Sequence, residues 1–137
     1  MAWEKYLKIV VDHTKVDAEL TDFPLAIVLS SAAGTGDADV TAIFDELGAN
    51  NYKIKLEDAS NNQKYVEIET WDATAEKAVL YAKVDLSSTV DTVFRLYYDA
   101  TQADNTSYVG VAGETAAQSV WDADFELVYH MSQDPSG

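Results

Sequence analysis

A chain of 137 residues with 47% apolar side chains can bury one compact core but falls short of two. It carries 24 Asp plus Glu against 9 Lys plus Arg, a net of −15, with no Lys/Arg run interleaved with aromatics. That excludes a surface built for nucleic-acid phosphates or anionic lipid, and the absence of cysteine excludes disulfides, thiolate metal sites and a cysteine nucleophile.

In chain order, Trp3 to Val11 alternates, with Leu7, Ile9 and Val11 on one face and Tyr6, Lys8 and Val10 on the other, as a half-buried strand does. Only Met1 and Ala2 precede it and nowhere do about 18 apolar residues run together, so neither a signal peptide nor a membrane insertion is expected. Leu25 to Leu29 is apolar throughout and is expected to lie centrally in a sheet, starting beside Pro24. Ser30 to Asp39 reads as a mobile loop. The period then changes: Asp39 is placed to cap a short helix with Val40, Ile43, Phe44 and Leu47 on one stripe, and Gly48 to end it in the left-handed conformation.

Tyr52 to Glu57, a turn at Ser60 to Gln63 and Tyr65 to Trp71 together predict a β-hairpin. Strands follow at Ala78 to Val84 and Thr92 to Asp99, the latter with Phe94, Leu96 and Tyr98 opposing Val93, Arg95 and Tyr97. Ala100 to Ser119 reads as an irregular connector, and Val120 to Met131 recovers apolar character. The pattern predicts a mainly β protein, an antiparallel, jelly-roll-like β-sandwich with one short helix, or as the alternative a partly open barrel. Residues 1–131 form the single module, and 132–137 a linker or the start of a following domain.

The strand Tyr65 to Trp71 carries the best chemical candidates. Alternation puts Tyr65, Glu67, Glu69 and Trp71 on one face, and positions two apart stand roughly 7 Å apart at the backbone, so the carboxylates can approach the roughly 5 Å of a retaining glycosidase. Glu67-x-Glu69-x-x-Asp72 is similar to the acidic strand of jelly-roll glucanases, but those usually have Asp in the middle and Glu at the end. The competing reading is a solvated acidic strand flanked by packing aromatics.

Neither His13 nor His130 has the neighbours of a histidine metal site or of an exposed serine nucleophile, and Gly34-Thr35-Gly36 leads into acid rather than the lysine of a phosphate loop. No cofactor is implied. Calcium has only loose candidates, Asp37 with Asp39 and Asp99 with Asp104, outside any calcium-loop spacing. Three tryptophans and eight tyrosines can supply a sugar-stacking platform, or else serve the core and inter-domain contacts, with Trp121 placed to seal a junction.

Trp3 and Tyr6, Leu20-Thr21-Asp22-Phe23-Pro24, Glu67-Ile68-Glu69-x-Trp71-Asp72, Tyr97-Tyr98, and Val120-Trp121-Asp122 with Val128-Tyr129-His130 occur in this order. Together they resemble a bacterial, archaeal and phage domain family of no assigned biochemical function, found next to concanavalin-A-like (laminin-G-type) lectin/glucanase domains. The chain departs from that pattern at Asp99-Ala100, where Gly-Asn is usual, and at Tyr129, where Trp is usual. The resemblance implies a non-catalytic module of a virion, such as a phage tail or appendage, or of an extracellular surface. Its partners would be an adjacent lectin-like domain or further subunits, including copies of itself. A carbohydrate-binding module in its own right stays open, and a glycoside hydrolase using Glu67 and Glu69 stands third.

Overall fold

A computed structural model of the chain describes residues 2–121; the expectations for His130, for the apolar segment beyond Trp121 and for the 131/132 boundary lie outside the described residues. Eight strands form two four-stranded sheets packed as a β-sandwich. The strands are β1 (Tyr6–Val11), β2 (Leu20–Leu29), β3 (Ile54–Asp58), β4 (Gln63–Lys64), β5 (Val66–Asp72), β6 (Lys77–Leu86), β7 (Thr92–Tyr98) and β8 (Val109–Val111). Sheet A runs β1-β7-β3-β4 and sheet B β2-β6-β5-β8, antiparallel throughout except for the parallel pair β5/β8. The β2/β6 pairing is nested inside the β1/β7 pairing, so the chain wraps inward from both ends.

Alternation explains the core. Leu7 and Ile9 of β1 face Leu96 and Phe94 of β7, Leu56 of β3 faces Leu96 from the other side, and Val66 and Ile68 of β5 face Ala82 and Leu80 of β6. Leu56, Val66, Leu80, Ala82 and Leu96 are fully buried, each Leu stabilising the fold by about 1.5–3 kcal/mol relative to exposure. Helix α1 (Ala42–Leu47) closes one end of the sandwich with Ile43, Phe44 and Leu47, the predicted stripe.

Several expectations are corrected. Asp39 is not the helix cap: its carboxylate accepts from the Thr41 amide and hydroxyl at 3.0 and 2.7 Å, and Thr41 takes the cap position. Gly48 ends the helix at positive φ (53°), but with ψ −122° it lies outside the left-handed helical basin. The 30–39 segment is the expected loop, and Ala33 and Ala38 exchange two backbone hydrogen bonds of 2.7 and 2.9 Å within it. The apolar segment at Leu25 to Leu29 belongs to an edge strand, so Ala26 and Val28 face outward, and Pro24 sits inside β2 because an edge tolerates a missing donor.

The predicted hairpin does not form. Asp58 accepts from the Ser60 and Asn62 amides, both at 2.9 Å, and closes a tight turn that returns only Gln63 and Lys64 alongside β3. The chain then crosses at Tyr65 to sheet B, where Val66 and Ile68 gain a second layer to pack against. The connector read between Ala100 and Ser119 contains β8 and a second helix, α2 (Thr115–Gln118), both too short for periodicity to reveal.

Candidate functional site

The predicted strand motif lies on β5, and a bulge decides its geometry. Ile68 pairs with Leu80 and Thr70 with Val79, so Glu69 is an extra residue on the β5 side. Up to that point Glu67, opposite Tyr81, points away from the core, as does Glu69 beside the Tyr81 hydroxyl. Beyond it the alternation is reset, and Trp71 sits opposite buried Ala78 on the core side. There its ring lies 4.9 Å from Phe44 and its indole N–H donates to the Gly48 carbonyl at 2.8 Å. Trp71 is therefore removed from the predicted face. Tyr65 stacks on Tyr108 at 5.0 Å and 25°.

What joins Glu67 and Glu69 is Tyr81 and Trp121. The Trp121 indole N–H donates to Glu67 Oε2 at 3.2 Å, and its ring packs on Tyr81 at 5.3 Å and 50°. Glu67 is the one buried charged residue of the described part, 4% exposed. Burial pushes the Tyr81 hydroxyl above its usual range, and the charges of Glu69 and Glu67 push it further, so it stays protonated at neutral pH. Next to this group α2 crosses β8 closely: a Cβ on Gly110, opposite Glu67, would lie 2.9 Å from Glu114 Oε2 and 3.2 Å from the Ala117 nitrogen. Ala116, Ala117 and Val120 are buried outside the main core cluster. Two carboxylates and a neutral phenol converge here, with the Trp121 indole packed on the phenol and bonded to Glu67.

The outer face of sheet A is different. Strand register sets out its rows: Lys55, Tyr97 and Tyr6 across β3, β7 and β1; then Gln63, Glu57, Arg95 and Lys8 across β4 to β1; then Val93 and Val10. The Tyr6 and Tyr97 rings lie 5.4 Å apart, and the Lys55 ammonium sits over Tyr97 at 4.8 Å and over Trp3 at 5.6 Å while pairing with Glu57 at 2.7 Å. Trp3, Lys55, Arg95 and Tyr97 are half-buried, whereas Tyr6 and Val10 are each 50% exposed. The sequence placed Tyr6, Lys8, Arg95 and Tyr97 on outward faces but gave no sign that the two strands pair; a Tyr6/Tyr97 register was the missing signal.

At the end of the sandwich, Asp12, His13 and Asp91 are the one group of three metal-ligating side chains among the described residues, with ligand atoms within 4.8 Å of one another. Their present bonds are structural: Asp91 Oδ1 takes the His13 amide at 3.0 Å and contacts Nδ1 at 2.7 Å, while Asp12 takes the Thr14 amide and hydroxyl. The calcium candidates belong to no such group. Asp99 accepts from the Thr101 amide and hydroxyl, as Asp39 does from Thr41, and Asp104 pairs with Lys53 at 3.3 Å. A neighbouring groove of ≈ 320 Å³ includes Glu19, Asp58, Asp85 and Asp91 in its lining. Each is already engaged: Glu19 by Ser87 and Ser88, Asp58 by its turn and Lys64, Asp85 by the Asp22 amide, Asp91 by His13.

Compared with known proteins, the chain matches no family model, no curated sequence and no solved structure.

Proposed function

We propose that the chain is a non-catalytic module of a surface or virion protein whose work is to hold neighbouring polypeptide, such as an adjoining glycan-binding domain, against a rigid sandwich. The observation that carries this reading is the Trp121 clamp. Of the two carboxylates that suggest glycosidase chemistry, Glu67 is buried and accepts from the indole, which packs on Tyr81, and this supports a structural role. The polypeptide leading on from residue 121 therefore departs from a fixed point on sheet B. The surface or virion setting draws its support from the sequence resemblance alone.

Incubation with a panel of plant, algal and bacterial polysaccharides, followed by a reducing-end assay, tests the non-catalytic part. The expected release equals the protein-free background. Release that disappears in Glu67→Gln or Glu69→Gln would establish a hydrolase instead. Backbone ¹⁵N relaxation tests the holding part: residue 121 is expected to tumble with the sandwich, and to gain fast motion in Trp121→Ala. Fast motion already present in the unmodified chain would contradict it.

A further inference from the structure

On the opposite side from the Trp121 clamp, we infer that the outer face of sheet A binds an acidic polysaccharide, with sugar rings lying on Tyr6, Tyr97 and Trp3 and sugar carboxylates meeting Lys8 and Arg95. The argument starts from charge. In a chain of net −15, the strand rows of this face hold Lys8, Lys55 and Arg95 against Glu57 alone. Lys55 and Glu57 neutralise each other at 2.7 Å, whereas neither Lys8 nor Arg95 forms an ion pair among the described residues.

Hydrogen bonding holds the row in place: Arg95 Nη2 donates to Asn61 Oδ1 and to the Asp58 carbonyl, while the exposed Lys8 ammonium beside it makes no ion pair among the described residues. A carboxylate is the natural partner for that exposed ammonium. The adjacent row supplies apolar ring faces, which suit the C–H faces of pyranose rings. Lys55, held over both Tyr97 and Trp3, fixes those rings before any ligand arrives.

A second copy of the chain is the competing occupant, which sedimentation distinguishes from a sugar polymer. A sugar polymer brings one carboxylate per acidic unit. Repulsion from the rest of the molecule is screened beyond about 8 Å at physiological salt, so the nearby cations decide.

Affinity electrophoresis of the whole chain through gels containing polygalacturonate tests this, with fully methyl-esterified polymer as the uncharged comparison. The variants are Lys8→Gln and Tyr6→Ser, both at exposed positions so that the fold is kept, with Lys77→Gln on β6 as a charge-matched control. Retardation is expected with polygalacturonate alone, weakening with added salt and falling about five- to tenfold in Lys8→Gln and Tyr6→Ser but not in Lys77→Gln. Absence of retardation, equal retardation by the esterified polymer, or equal loss in Lys77→Gln would overturn the proposal. So would a concentration-dependent dimer in sedimentation that is lost in Tyr6→Ser, which would assign the face to a second copy. Any of these failures leaves the Trp121 clamp standing, because it sits on the other sheet.

Discussion

The two outer faces of the sandwich carry similar residue types put to opposite uses. On sheet B, aromatic rings and carboxylates are packed on one another: Trp121 over Tyr81, Glu67 beneath the indole, α2 against Gly110. On sheet A, Trp3, Tyr6 and Tyr97 stand with Lys8, Lys55 and Arg95 on a surface that no helix of the described part crosses. The difference teaches that an aromatic beside a charge is not itself a site. What separates anchor from platform is whether another element of the same chain has closed over it.

Four changes sharpen or break that contrast. The largest effect is expected from Trp121→Ala, which strips a ring from Tyr81 and removes the indole donor from buried Glu67. Loss of stability of about 3 kcal/mol in urea unfolding is predicted. Gly110→Ala comes next at about 2 kcal/mol, since the new methyl meets helix backbone at 3.2 Å and α2 has to move.

The third prediction is a pH profile. Hydrogen-bonded partners hold seven carboxylates below their usual range: Asp12 through the Thr14 hydroxyl, Glu19 through the Ser88 amide, Asp39 through the Thr41 hydroxyl, Glu46 through Lys5, Asp91 through His13 and Asp99 through the Thr101 hydroxyl. In Asp58 burial acts upward, but the Asn62 amide and Lys64 outweigh it. Lowered folded values stabilise the fold above the unfolded carboxylate range near pH 4, and that stability drains away as pH falls through them. Tyr81, pushed up by burial and by Glu69, and Tyr52, pushed up by burial and by Glu114, have the opposite sign: their contribution is present below about pH 10 and is lost as pH rises. Urea midpoints should be flat near neutrality and fall on both sides, and Tyr81→Phe should soften the alkaline fall. The smallest effect is expected on sheet A, where Tyr6→Ser should change stability by less than about 0.5 kcal/mol.

Much of the fold was legible because period-two alternation is a strong signal. The core faces of β1 and β7 were readable from Leu7, Ile9, Phe94 and Leu96, and the α1 stripe from Ile43, Phe44 and Leu47. Three kinds of feature were hidden for physical reasons. A bulge is a single extra residue without a composition mark, so Glu69 reversed the side of Trp71 unannounced. Strand partnership is a long-range property, so the crossing at Tyr65 looked like a hairpin and an edge strand looked central. Segments as short as Val109–Val111 and Thr115–Gln118 do not span enough residues to show a period. The candidate site shared this limit. Glu67 and Glu69 were placed on one face correctly, but Tyr81 could be added only once β6 was known to lie beside β5.

The division of labour between the faces is tested most directly by mapping backbone amide shifts while polygalacturonate is titrated into the ¹⁵N-labelled chain. The account predicts movements confined to β1, β3, β7 and the Trp3 segment, with β5, β6 and the Trp121 indole unmoved. Shifts centred on Glu67, Tyr81 and Trp121 would contradict it, since the closed face would then be the one that binds.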